Sequence, residues 1–212
     1  NCAFWCNPCY LIVMPIAING SGSITGISAG GLPDGCVTAD DLASGVGGKI
    51  LAVSEALKKD TFSTQSTSFT DITGLSVTMT PASTSSKFLV TYHVAFSPRD
   101  YHYSGAMRCV KVVGGTTTDD IYVGNASGNR IRCSNFAFSD NAQHSYVALQ
   151  TKSGSFLHSP NTTSAVTFKM QCCLLGTYGY ANDVYVNRTS TYEDTEYFGS
   201  GVSSLTVLEL SS

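Results

Sequence analysis

Lys87-Phe88-Leu89-Val90-Thr91-Tyr92-His93-Val94-Ala95-Phe96 decides the fold class. Phe88, Val90, Tyr92, Val94 and Phe96 occupy every second position, with Leu89, Thr91, His93 and Ala95 between them. Alternate side chains of an extended chain point to opposite faces, so this stretch reads as a β-strand with one wholly apolar face. Val, Tyr, Phe and Thr also suit a pleated, half-buried surface.

The same period recurs on both sides of it. Leu75, Val77 and Met79 alternate with Ser76, Thr78 and Thr80, and Val166, Phe168, Met170 and Cys172 alternate with Thr167, Lys169, Gln171 and Cys173. Further strand-like runs cover residues 106–113, 120–123, 130–133, 135–138, 145–150, 183–187 and 204–210. Gly114-Gly115, residues 125–129, Ser153-Gly154 and residues 199–201 supply turn residues between them. Seven to ten short strands without a long helix predict an all-β, antiparallel sandwich over residues 49–212. One stretch fits two periods. Ile50, Val53 and Leu57 match a helical spacing, and the same residues also make a poorer strand.

The first 48 residues differ in kind. Residues 19–32 are Gly- and Ser-rich with Ile24, Ile27 and Leu32 interspersed, and residues 38–45, which include Leu42, fit one or two helical turns capped by Thr38. Gly45-Val46-Gly47-Gly48 reads as a hinge. So small a segment cannot bury a core of its own, which predicts an extended, irregular arm, with Ile24, Ile27, Leu32 and Leu42 as its attachment residues. Residues 1–13 are apolar and lack Lys and Arg, and the run is shorter than the ~20 residues of a spanning helix. Met14 reads as a natural start, with residues 1–13 an upstream extension.

Composition narrows the function. Of 212 residues, 42% are hydrophobic and only 13% charged, against a usual ~25%. A net charge of -3 gives no basic excess for nucleic acid and no polybasic membrane anchor, so neither nucleic-acid binding nor membrane insertion is expected. Ser, Thr, Asn and Gly keep the surface polar instead. Such a surface suits an assembly, whose interface cores are depleted of charge, and also suits an ordinary β-rich domain.

Eight cysteines are too few for a disulfide scaffold. Cys2, Cys6 and Cys9 could form half a zinc site, but no second Cys/His pair follows at a suitable spacing. Cys109, Cys133, Cys172 and Cys173 fall in strand-like runs and read as buried free thiols, with pairing the alternative. No nucleophile, phosphate or dinucleotide motif is present, and no catalytic, cofactor or metal residues are expected. Asp119-Asp120 and Glu193-Asp194 are adjacent carboxylates in loops; adjacency does not hold two carboxyls across a sugar, and Asp119-Asp120 has only the oxygen chemistry of a calcium pair.

Aromatic loops offer a different chemistry. Tyr101, His102 and Tyr103 lie beside Arg99 and Asp100; Tyr178 and Tyr180 lie near Asn182 and Asp183; Tyr192 lies beside Glu193 and Asp194. Rings that stack on sugar faces, next to groups that bond hydroxyls, would contact a glycan receptor. Packing at subunit contacts is the other reading, because Tyr is enriched there too.

Several segments in order carry a resemblance: residues 48–53 (GKILAV), 59–64 (KDTFST), 73–78 (TGLSVT), 85–90 (SSKFLV), 156–171, 186–188 and 203–210 (SSLTVLEL), preceded by 32–43 (LPDGCVTADDLA). They resemble the jelly-roll-like C-terminal module of tail fibres and other virion proteins of phages, especially aquatic ones, over residues 14–212. Residues 1–13 and Cys172-Cys173 depart from that pattern. The resemblance favours a strand over residues 50–57. It implies a non-enzymatic virion protein without a cofactor, assembled in the host cytoplasm and placed on the particle's exterior. The family is commonly trimeric. The N-terminal arm would join other virion proteins, and a host-surface glycan would be the receptor. A tail fibre or fibre tip is the first expectation and a head decoration or cement protein the alternative. A carbohydrate-active enzyme would need converging carboxylates.

Overall fold

The computed structural model describes residues 49–98, 104–138, 148–176 and 183–211. The arm, with Ile24, Ile27, Leu32 and Leu42, lies outside the described residues. Eleven strands follow in order: β1 (Ile50–Lys58), β2 (Phe62–Thr64), β3 (Thr70–Met79), β4 (Lys87–Pro98), β5 (Ser104–Val113), β6 (Thr116–Thr118), β7 (Asn135–Phe138), β8 (Gln150–His158), β9 (Val166–Leu175), β10 (Val184–Val186) and β11 (Ser203–Leu210). No helix occurs among the described residues, and hence none long and apolar enough to cross a membrane.

Pairing follows the plan of one long antiparallel ribbon folded over on itself. Its rungs are β1 with β11, β3 with β9, β4 with β8, and β5 with β7. Folding the ribbon adds two joins, β11 to β4 and β9 to β5. The result is two sheets, β1-β11-β4-β8 and β3-β9-β5-β7. That is the strand order of a jelly roll, an antiparallel β-sandwich. The short strands are additions: β10 pairs the far end of β4 and carries β2, and β6 pairs the other end of β5.

The period-two residues of β4 meet those of the facing sheet. Phe88, Val90, Tyr92, Val94 and Phe96 are all buried, as are Leu75, Val77, Met107, Cys109, Phe168, Met170 and Cys172 opposite. Phe88 and Phe168 touch edge to face, with ring centroids 5.7 Å apart. Each such side chain contributes about 1.5–3 kcal/mol by leaving water. Residues 50–57 are strand, as the resemblance favours.

Three sequence expectations need correction. Residues 120–123 and 130–133 form no strands. They belong to a loop whose apolar residues plug the open side of the sandwich: Tyr122 stacks on Phe156 at 4.5 Å and meets Tyr92 edge-on at 6.4 Å. Ser134 Oγ donates to Tyr122 O, and Tyr92 Oη to Asn135 Oδ1, fixing that plug. Ser153-Gly154 is not a turn but the middle of β8, opposite His93 and Tyr92. Glycine is needed there because a Cβ would lie 2.5 Å from the Tyr92 hydroxyl. Finally, the strand expected over residues 145–150 begins at Gln150; residues 145–147 lie outside the described residues.

Candidate functional site

The two outer faces of the sandwich differ in chemistry. On the β1-β11-β4-β8 sheet, registers align Val53, Leu208, Leu89 and Leu157 in one row across all four strands. The row ends on the two edge strands, where Val53 and Leu157 are each 61% exposed. Ile50 and Leu51 flank it, also exposed. The next row is Glu55, Thr206, Thr91 and Ser155. Thr206 Oγ1 donates to Glu55 Oε1 at 3.3 Å, and the Thr91 and Ser155 hydroxyls share a bond of 3.1 Å. Leu57, Ser204, His93 and Ser153 form a third row. The face is thus an aliphatic stripe bordered by hydroxyls, with Glu55 and Lys87 as its ionised side chains.

Ala95 is a smaller contributor than its apolar character suggests. It is buried within the same chain, because Gly201 passes over it so closely that a Cβ there would sit 2.6 Å from the Ala95 Cβ.

The opposite face is knitted by charge. Lys169 Nζ and Gln171 Nε2 donate to Asp71 at 2.9 and 2.7 Å, Arg108 Nε donates to Gln171 Oε1 at 3.0 Å, and Arg108 also bonds Asp119. Arg108 stacks over Phe69 at 4.1 Å. Partial burial works to raise the Asp71 pKa, but the bonds from Gln171 and Lys169 outweigh it and hold the carboxyl below its ordinary value. Asp119 is therefore an arginine partner rather than half of a calcium pair, and no group of three metal-ligating side chains occurs among the described residues.

Burial raises all four described thiols: Cys109 and Cys172 to about 12, Cys173 to about 11, and Cys133 by a smaller step. They are free, as the sequence suggests, and protonated at neutral pH, which leaves them poor nucleophiles.

Of the aromatic candidates, Tyr192 is described; Tyr101, His102, Tyr103, Tyr178 and Tyr180 lie outside the described residues. The strand ends that bound their two loops are neighbours, since Pro98 pairs with Val184 and Ser104 with Leu175. Tyr192 belongs to a third loop, leaving the other end of β10. An isolated bridge between Arg188 and Ser200 brings that loop's ends together. Arg188 lies between two rings, 4.7 Å from Tyr185 and 4.8 Å from Tyr192, while donating Nε to Thr189 O and Nη2 to Ser190 O. Tyr192 Oη shares a 2.6 Å bond with Ser200 Oγ. The clamp on Arg188 has no motif in the sequence: it forms where the loop after β10 folds back so that Tyr192 and Tyr185 reach the same guanidinium.

No family model matches the chain. No curated protein matches it either. Among solved structures it is similar to the infectious bursal disease virus VP2 subviral particle, with 13% identity and a TM-score of 0.38, over 76% of this chain and 41% of that one. The chain therefore spans about two fifths of that protein's length.

Proposed function

We propose that this chain is a non-enzymatic structural protein on the outside of a virus particle, a phage tail fibre or fibre tip that also meets the host surface. The observation that carries this reading is the aliphatic row Val53-Leu208-Leu89-Leu157, which crosses an entire sheet face and ends exposed on both edges. Contiguous apolar surface of this kind marks an interface. A further copy of the same chain is the occupant that fits. Where identical faces meet at a symmetry axis, like charges would be brought together, and this face has almost none. Three copies presenting it to one axis would cover the stripe and leave the charged face outward. The jelly-roll segments along the sequence support the virion setting, and the N-terminal arm would bind other virion proteins.

A head decoration or cement protein would use the same face, so location must be measured. Quantitative mass spectrometry of purified particles that carry this chain gives its copy number. Tens of copies support the tail reading, hundreds support decoration, and absence from the particle overturns both.

A further inference from the structure

We propose that the loop over residues 188–200 is a binding site for a neutral or amino-bearing pyranose sugar. The loop is closed at its base by the Arg188–Ser200 bridge and held by internal bonds, Thr195 N to Glu193 O at 2.9 Å and Phe198 N to Thr195 O at 3.3 Å. Compact loops with adjoining ends, held on a rigid scaffold, commonly carry function. This one frames an open surface pocket of about 280 Å³, lined by Tyr192, Glu193, Asp194, Thr195, Phe198 and Ser200. The volume lies just below the ~300 Å³ at which drug-sized ligand pockets start, and so suits a single ring rather than a long chain.

The lining has the two parts a sugar needs. Tyr192 is 47% exposed, and its ring is immobilised on one side by Arg188 and at its hydroxyl by Ser200. A ring fixed before binding stacks on the apolar face of a pyranose without a further ordering cost. Glu193 and Asp194 are exposed, and neither is in an ion pair with a cation among the described residues. Ionised carboxylates accept pairs of hydrogen bonds from vicinal hydroxyls. The same carboxylates, with Glu196 nearby, repel sialic and uronic acids. Arg188 offsets only part of this: it is one positive charge against three carboxylates, two of its five N–H donors are committed to loop carbonyls, and its guanidinium plane lies against the two rings.

This inference deepens the surface-recognition part of the reading above and rests on it for where a sugar would be met; the pocket is independent of self-association. The test uses the full chain and saturation-transfer NMR with methyl α-glucoside, methyl α-mannoside, methyl β-galactoside and methyl β-glucosaminide at concentrations on the order of 10 mM. The methyl glycosides of glucuronic and N-acetylneuraminic acid form the acidic arm. At least one neutral or amino glycoside should bind, and Tyr192→Ala should weaken it about tenfold through lost stacking. Asp194→Asn, at an exposed position that keeps the fold, should weaken it severalfold. Native mass spectrometry of the same samples separates the two proposals. An unchanged oligomer with no glycoside bound overturns this one alone. Binding that is confined to the acidic sugars, or that survives both substitutions, overturns it as well.

Discussion

Asn187 joins four parts of the chain although it lies in none of the strands. It is fully buried and left-handed, with φ of 62°. Its Nδ2 donates to Lys58 O at 2.9 Å and Asp60 O at 3.0 Å, its Oδ1 accepts from Ser203 Oγ, and its backbone N–H donates to Ala95 O. Ser203 Oγ in turn accepts from Ala95 N. Asn tolerates the left-handed region, and no other residue type would supply these bonds together. Asn187→Ala should cost about 2–4 kcal/mol in denaturant unfolding, from unsatisfied buried groups and backbone strain. Asn187→Gly should cost about 1 kcal/mol less, since it removes only the bonds. Equal costs would show that the backbone conformation is unstrained. His158 makes a second residue-scale prediction. Its Nε2 is buried without a hydrogen-bond partner and its ring meets Phe168 edge-on. Burial first, and then the charge of Lys111, pushes its pKa from 6.5 down to about 4. Between those values the unfolded chain takes up a proton that the folded chain refuses, so stability falls as pH drops from 6.5 towards 4 and is complete above 6.5. His158→Phe should flatten that part of a stability-against-pH curve. An unchanged slope would assign the titration to another group.

Among the elements, β8 tests the register most sharply. Gly154 sits against the Tyr92 hydroxyl in the neighbouring strand, so Gly154→Ala should lower stability by about 1–3 kcal/mol through overpacking, whereas a glycine in a real turn would accept alanine far more cheaply. A midpoint within error of the parent would mean that β8 does not pair with β4 in this register. The same residue shows what the sequence could convey. Strands with a full alternation, such as β4, β9 and β11, were legible because each residue's side is fixed by its parity. Ser153-Gly154 resembled a turn because the demand for a missing side chain comes from Tyr92, more than sixty residues away. Residues 120–123 resembled a strand because Ile121 and Tyr122 are apolar and pack partly buried against the core, yet they do so from a loop whose Tyr122 stacks on Phe156 of β8. The candidate sites behave similarly. The exposed aromatic at 192 was visible as chemistry, but its fixation by Arg188 and Ser200, four and eight residues away, needs the loop to close on itself, and no period in the sequence marks that closure.

At the scale of the whole molecule, the two faces set different relations with the surroundings. The Lys169-Asp71-Gln171-Arg108-Asp119 network satisfies its own charges and can remain in water. The Val53-Leu208-Leu89-Leu157 row has no such provision, and its edge members, largely exposed, lose only their cross-strand contact within one chain if made polar. Val53→Asp and Leu157→Asp should therefore cost the single chain no more than about 1 kcal/mol while dissociating the proposed trimer. Native mass spectrometry of the full chain at micromolar concentration, beside Val53→Asp, tests the proposed self-association most directly. The parent should give a three-chain mass and the variant a single-chain mass. A stable single-chain mass for the parent would overturn the proposed trimer.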